Sequence, residues 1–551
     1  MTVLTSKPLS TDEPLMALSL LNEQLLNYRN AFTGERIAAS LPELFVAMAQ
    51  DAVRDFPALR PHQRHPWHAF LVQLAAIALH NAERSEPFTT ANEWRDALLA
   101  LTPNDPDGVA WCLVSPLSRP AFMQAPEPSG CIDDWKNTIK AADELDMLVT
   151  SKNHDLKASR MQRSTSEEWI YSLISLQTQE GFLGSGNYGI SRMNGGFANR
   201  CGVGIHPNGL LGRRWLRDIK ALQASRQTVA DDFDLKASDP IALVWLQPWD
   251  GSDSLSFCQL DPWYIEICRR IRFTNNGALK ANASGSKVAR ISAKDLNGRT
   301  GDAWMPLDSL AGKALTIGAR GFDYKLGTEL LLGQKYTKPA AQMLLPTDDA
   351  DGLYLIAQGV ARGQGKTEGY HERRIPISRK VRQGLATRHT DELAKLATER
   401  IDTIAEIRKM LWTALMGFFG NGAKDETGKD KEASDTAKDR ANRFAQPFEA
   451  QCDAMFFLEL IEEIEAETGS REAIRTLWLL TLAERAEKVL RNAFVAGPRS
   501  SHLRYRAQAT ALARLRGAMY GNPSYPAKLP ALAAALKLNQ TQFTKETHES
   551  V

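Results

Sequence analysis

The pattern of apolar and polar positions changes character along the chain. From Trp67 to Leu79 the residues run Trp-His-Ala-Phe-Leu-Val-Gln-Leu-Ala-Ala-Ile-Ala-Leu, apolar on every side of a helical wheel. A helix without a polar face belongs inside a core, so this stretch predicts a buried helix. Residues 1–60 read as helical with acidic and polar positions, broken by prolines. Between 116 and 390 the pattern is mixed. Short β-like runs at Ala242–Leu246, Tyr264–Cys268 and Leu353–Ala357 stand among many glycine, asparagine and proline breakers. From about residue 391 glycine becomes sparse, and Ile401, Ile404, Ile407, Leu411, Leu415 and Phe418 recur at helical spacing. Three more helical patterns follow, at 440–466, 471–494 and 502–519. The expected fold is α+β: a large mixed domain over 1–390, then a C-terminal four-helix bundle over 391–551. Gly420–Lys431, charged and without large apolar residues, reads as a solvated loop between the first two helices.

Charge adds one constraint. The 551 residues carry 67 Lys and Arg against 65 Asp and Glu, a net charge of +2, so any surface that attracts a polyanion has to be local. No apolar run approaches the roughly 20 residues needed to span a bilayer, and the N-terminus lacks a basic-then-apolar leader. A cytoplasmic protein with no membrane partner is expected. The six cysteines form no CxxC pair, and reduced core thiols fit them better than a zinc or redox site.

The most unusual segment is Gly181–Arg217. Its 37 residues contain no Asp or Glu, ten glycines fall between Gly181 and Gly212, and Arg192, Arg200, Arg213, Arg214 and Arg217 lie within it. Glycine permits close backbone approach, and local arginine charge without acids suits phosphate contact. A tightly turning loop with solvated arginines has the same composition. Further on, Arg373, Arg374, Arg379, Lys380, Arg382 and Arg388 form a basic stretch that suits either a polyanion or a solvated face, as do Arg504 and Arg514 in an acid-free helix.

Ala361-Arg-Gly-Gln-Gly-Lys-Thr367 suggests a phosphate-binding P-loop, but its first glycine stands one place early, at Gly359 rather than at Val360. A nucleotide hydrolase around Gly363–Thr367 is therefore the weaker alternative, and a helical scaffold without a nucleic-acid role is another. Asn153-His154-Asp155 sets an imidazole beside a carboxylate with no nucleophile motif, so no catalytic residue is assigned. His62, His65 and His68 lack the spacing of a helical metal pair.

In order, the chain carries Pro120-Ala-Phe-Met-Gln124, Leu148-Val-Thr-Ser-Lys-Asn-His-Asp-Leu-Lys157, Gly181-Phe-Leu-Gly-Ser-Gly-Asn-Tyr-Gly189, Arg362-Gly-Gln-Gly365 and a terminal helical bundle. Over about residues 115–535 this resembles the CasA family, the large subunit of the type I-E CRISPR Cascade surveillance complex. The resemblance implies a non-enzymatic subunit without cofactor. Such a subunit recognises a protospacer-adjacent motif in double-stranded target DNA, starts its unwinding and supports a helicase-nuclease effector in antiviral defence. It implies partners in the CRISPR RNA 5′ handle and in the backbone, handle-binding and small subunits of Cascade. Carried over by residue, the glycine loop of the minor groove looks like Gly181, Phe182, Leu183 and Gly184. The glutamine wedge looks like Gln364 between Gly363 and Gly365, and the RNA-handle loop looks like Asn153, His154 and Asp155. The hairpin lysine is placed at Lys313, with Lys280 and Lys287 as rivals. Arg192, Arg200, Arg373, Arg374, Arg504 and Arg514 are candidates for the DNA backbone. Phe273–Leu279, where some members carry zinc cysteines, has no cysteine pair, so no metal is expected.

Overall fold

The computed structural model describes all residues except 1–16, 147–162, 196–197, 349–351, 364–365, 388–389, 422–433, 522–525 and 550–551. The chain forms two compact units. One is Met1–Phe322 with Gln334–Arg374, and the other is Asp323–Gly333 with Ile375–Val551. The division falls at 374/375 rather than at 390/391, and a short piece of the mixed region joins the helical unit.

The first unit is built around the predicted buried helix, α1 (Arg64–Asn81). From His65 to Leu79 all its residues are buried. It packs against α2 (Ser166–Gln179) and, beyond strand β1 (Gly202–Pro207), against α3 (Leu211–Asp232). Tryptophans fill the remaining space: Trp67, Trp94, Trp111, Trp169, Trp215, Trp245, Trp263 and Trp304 are almost completely buried, several in edge-on contact with other rings. The helical expectation for residues 1–60 is only partly met. Strands at Leu26–Asn30, Arg36–Ala39 and Val53–Asp55 form an antiparallel sheet, with one helix at Leu41–Ala49. Tyr28 and Leu26 alternate with polar neighbours there, a period-2 pattern that is easily mistaken for loop over so short a span.

Strand β1 forms one edge of the sheet that carries the candidate site. It pairs antiparallel with β2 (Leu353–Gly363), from Leu353 opposite Pro207 to Gln358 opposite Gly202, and β3 (Lys366–Ile377) covers the other side of β2. Gly202 and Gly204 keep this sheet close to its covering layer: a Cβ at Gly202 would overlap the His65 ring, and one at Gly204 would meet Ala341 and Trp304 at 3.3 and 3.4 Å. The β-like run at 353–357 is thus the first half of a strand twice as long.

The second unit contains the four expected helices, α4 (Asp391–Phe419), α5 (Asp435–Glu465), α6 (Arg471–Ala493) and α7 (Ser501–Tyr520). Ile404, Ile407, Leu411, Leu415 and Phe418 are buried on α4, whereas Ile401 is half-buried. A further helix, α8 (Pro530–Glu549), packs on α6 and α7 through Leu532, Ala533 and Ala535. Its Pro530 start and alanine-rich opening carried a readable signal. Most of Gly420–Lys431 lies outside the described residues.

Within this core Arg400 and Glu463 form a buried pair, with Nε donating at 2.8 Å and the guanidinium 4.2 Å over the Trp478 ring. Replacing Glu463 by alanine leaves that charge buried and alone, so a loss of about 3–5 kcal/mol is expected. Guanidinium unfolding followed by circular dichroism measures it. The double change Arg400→Met with Glu463→Leu should cost less than Glu463→Ala.

Candidate nucleic-acid interface

The glycine loop hangs from the end of α2. Thr165 caps that helix and Glu168 reaches back to the Thr165 amide at 2.8 Å, a reciprocal cap that fixes where the helix begins. The helix ends at Glu180, whose backbone is extended (φ −74°, ψ 130°), and the chain leaves the core at Gly181. The loop closes on itself twice: the Leu183 amide donates to the Asn187 carbonyl at 2.9 Å, and the Asn187 amide donates to the Gly184 carbonyl at 3.0 Å. Gly184 and Gly186 have φ of 117° and 83°, which side chains other than glycine rarely adopt. Phe182 and Tyr188 face each other across the loop with ring centroids 5.9 Å apart.

The loop's base is fixed by groups that the sequence reading passed over. Arg269 donates to the Gly181 carbonyl at 2.8 Å and also to the Tyr188 carbonyl, and Asn199 accepts from the Gly181 amide at 3.2 Å. Gly181 and Gly184 therefore differ. A Cβ at Gly181 would overlap the Ala198 carbonyl oxygen and meet the Met193 sulfur at 3.2 Å, whereas nothing lies within 4 Å of one at Gly184. Only Gly184 leaves room for an approaching backbone or groove wall.

The second element is the long β2–β3 hairpin. Gly363 ends β2, and Gln364 and Gly365, next in the sequence, lie outside the described residues. Arg362, one residue before Gly363, makes a buried ion pair with Glu180, one residue before Gly181. Burial lowers the Arg362 pKa to about 10, so it stays charged at neutral pH. This pair joins the root of the glycine loop to the root of the hairpin tip. No signal in one sequence could have revealed it, since 182 positions separate the partners.

Of the candidate lysines, Lys280, Lys287 and Lys313 are all exposed. Lys313 sits on a two-stranded hairpin opposite Asp308. Lys287 follows Ser286, whose amide donates to the Gly186 carbonyl at 3.0 Å, so it emerges directly beside the glycine loop. Asn153, His154 and Asp155 lie outside the described residues.

The arginines of the acid-free segment are corrected by the structure. Arg192 and Arg200 are each 1 % exposed. Arg192 stands 3.7 Å over the Tyr264 ring and 3.5 Å from Glu266, and Arg200 donates to Asp302 at 2.8 Å. Neither guanidinium is placed to meet a phosphate. Arg217 is likewise interior, held by Asp348 at 2.9 Å. The acids absent from the segment are supplied from elsewhere in the chain. Arg373 donates to the Phe322 carbonyl at 3.2 Å, and Arg374 is exposed, 3.4 Å from Glu372. In the second unit Arg504 is exposed, while Arg514 packs against Gly417 of α4.

The P-loop alternative is also overturned. Gly359 lies inside β2 between Ile317 and Cys201, and Lys366 opens a strand where a P-loop lysine opens a helix. His62 bonds Asp146 at 2.7 Å and His68 bonds Asp218 at 2.8 Å, while His65 sets its edge to Trp304. Among the described residues no group of three His, Cys, Asp or Glu side chains is placed to hold a metal, and no helix is long and apolar enough to cross a membrane.

The fold is one known from CRISPR-associated proteins. More specifically, it is that of Cse1, also called CasA. Cse1 from Acidimicrobium ferrooxidans superposes with a TM-score of 0.61 at 16 % identity, over 95 % of this chain and 99 % of that one. CasA (Cse1) from Thermus thermophilus gives 0.58 at 14 % identity, over 91 % and 99 %. A chain of a CRISPR RNA-guided surveillance complex gives 0.56 at 12 % identity, over 90 % and 99 %. No family model and no curated protein matches the sequence.

Two pairs of variants test the construction of the site. Gly181→Ala should lower stability by about 1–3 kcal/mol through overpacking against Ala198, and Gly184→Ala should lower it less, which thermal unfolding of the two proteins compares. Glu180→Gln should cost about 3–5 kcal/mol by stranding the buried Arg362 charge, and Glu180→Leu with Arg362→Met should recover much of it.

Proposed function

We propose that this chain is the large subunit of a type I-E-like CRISPR RNA-guided DNA surveillance complex in the cytoplasm, and that it acts without catalysis. The single observation that carries this reading is the Glu180–Arg362 pair. It brings the glycine loop and the Gly-Gln-Gly hairpin, the two sequence elements that resemble DNA-motif readers, to one place on a Cse1 fold. Gly184, with open space around it, would lie against the minor groove of the protospacer-adjacent motif, Phe182 and Leu183 would flank it, and Lys287 beside the loop would meet the adjacent phosphates. We favour Lys287 over Lys313 for this role on the Ser286–Gly186 contact.

The minor groove offers a degenerate donor and acceptor pattern, so motif recognition would be relaxed. Gln364, at the tip beyond Gly363, would enter the stack below the motif and hold open the first base pair. The target itself would be read by pairing with the CRISPR RNA. Asn153, His154 and Asp155 would dock near the RNA 5′ handle, and the backbone, handle-binding and small subunits would complete the complex. The helicase-nuclease would be recruited once the DNA is open. Arg374 and Arg504 are the exposed arginines left from the original candidates for the DNA backbone.

Gln364→Ala should impair opening of fully paired DNA in the assembled complex, yet leave a substrate with a pre-opened bubble beside the motif unaffected. Unstacking costs a few kcal/mol per step, and once the first heteroduplex forms the exchange is nearly balanced. Permanganate footprinting on both templates is the measurement. Equal opening of paired DNA by both proteins would remove Gln364 from the mechanism.

A further inference from the structure

The glycine loop has little stiffness of its own, with Gly181, Gly184, Gly186 and Gly189 among its residues. Its stems bond to each other at two levels. At the base the Ile190 amide donates to the Glu180 carbonyl at 3.0 Å, and further out the Leu183 amide donates to the Asn187 carbonyl at 2.9 Å. Between these two rungs the link is a side chain from elsewhere. Arg269 sends one guanidinium nitrogen, Nη2, to the Gly181 carbonyl at 2.8 Å and the other, Nη1, to the Tyr188 carbonyl. The stems are pressed together there, since a Cβ at Gly189 would overlap the backbone of Gly181 and Phe182. A planar fork bonded to both stems sets their separation in a way that a flexible side chain does not.

The fork is itself held. Gln177, buried in the last turn of α2, uses its whole hydrogen-bonding capacity on it. Its Oε1 accepts from the Cys268 and Arg269 amides at 2.9 and 2.8 Å, and its Nε2 donates to the Arg269 and Met123 carbonyls, each at 3.0 Å. The main chain at Arg269 is thereby fastened to the helix from which the loop hangs. Arg269 is 7 % exposed, and its guanidinium donates to the carbonyls of Gly181, Tyr188 and Cys268 and to the Cys268 sulfur. Among the described residues no carboxylate pairs with it. Glu266 serves Arg192, and Glu180, next to Gly181, serves Arg362. A buried charge without a counter-ion is costly. Arg192 and Arg200 avoid that cost with Glu266 and Asp302, whereas Arg269 commits its charge to the two stems of one loop.

We propose that Arg269 is a positioning residue for motif reading. Its guanidinium sets the spread of the two stems, and through them the angle at which Gly184 meets the minor groove, while it touches no DNA itself. Gln177 acts one step further back, by holding Arg269. This inference rests on the reading of the loop given above and adds what makes a glycine-rich loop selective. A loop preorganised from behind discriminates between grooves, whereas a loose one adapts to any of them.

The test titrates the assembled complex with matched target duplexes whose motif positions are randomised, and divides the affinity for the best motif by the mean over all of them. Arg269→Gln removes the fork and strands no carboxylate. It should lower this ratio about tenfold and leave the mean affinity unchanged, a split that loss of stability alone does not produce. Arg269→Lys keeps the charge but reaches the stems with a single nitrogen, so its ratio should fall between the two. Should Arg269→Gln fail to fold by circular dichroism, Arg269→Lys decides by the same ratio. In the full-length chain the Leu183 and Asn187 amides of Arg269→Gln should exchange hydrogen about tenfold faster, with α2 unchanged. Gly184→Val should flatten the ratio by itself, and adding Arg269→Gln to it should change the ratio by less than about twofold. If Gly184→Val leaves the ratio intact, the loop does not read the motif and both inferences fall. If Gly184→Val flattens it while Arg269→Gln does not, or if the two effects add in full, the reading of the loop stands and Arg269 is a structural tie only. Equal loss of best-motif and mean affinity in the Arg269 variants overturns the proposal in the same way.

Discussion

The arrangement of the candidate interface depends on one buried ion pair. Glu180 closes α2 and Arg362 nearly closes β2, and each is followed at once by a glycine. Because both charges are out of water, neither can leave without stranding the other. The pair therefore fixes the residues that precede Gly181 and Gly363 relative to each other. A site placed on rigid elements is held by what supports it from behind, and here that support is an ion pair between the end of a helix and the end of a strand.

The rest of the first unit follows the same logic of arginines held inside. Arg192, Arg200, Arg217, Arg269 and Arg272 are all buried and spend their donors on carboxylates or backbone carbonyls. Arg272 alone donates to the carbonyls of Ser115, Pro116, Arg119 and Ala125. A planar guanidinium with five donors can pin several loop carbonyls at once, which a core of leucines could not do. This suits a unit whose sheets have only two or three strands, where much backbone runs as loop and still needs hydrogen-bond partners.

The same inward turn reaches α3. Arg214 belongs to the acid-free segment, and its nearest carboxylate is already committed to three other groups. Its charge is left over from the network that holds α3 against α1. The second unit solves its packing differently, by long amphipathic helices with a buried ion pair at Arg400 and Glu463, and here periodicity decides almost everything.

The sequence by itself determined the elements whose partners are close along the chain. The all-apolar helix at 67–79, the four long helices of the second unit between 391 and 520 and the strand beginning at Leu353 were legible because periodicity and capping are local. So was the α+β class, and so were the short motifs from which the glycine loop and the Gly-Gln-Gly tip resemble motif readers. Tertiary structure alone decided which charges face water. Five arginines without a nearby acid looked like a phosphate-binding surface, yet Glu266, Asp302 and Asp348 arrive from 70 to 130 residues away to bury three of them. It also decided that Gly181 is packed while Gly184 is open, and that Glu180 meets Arg362. Charge neutralisation and steric room depend on distance in space, and one sequence records only distance along the chain.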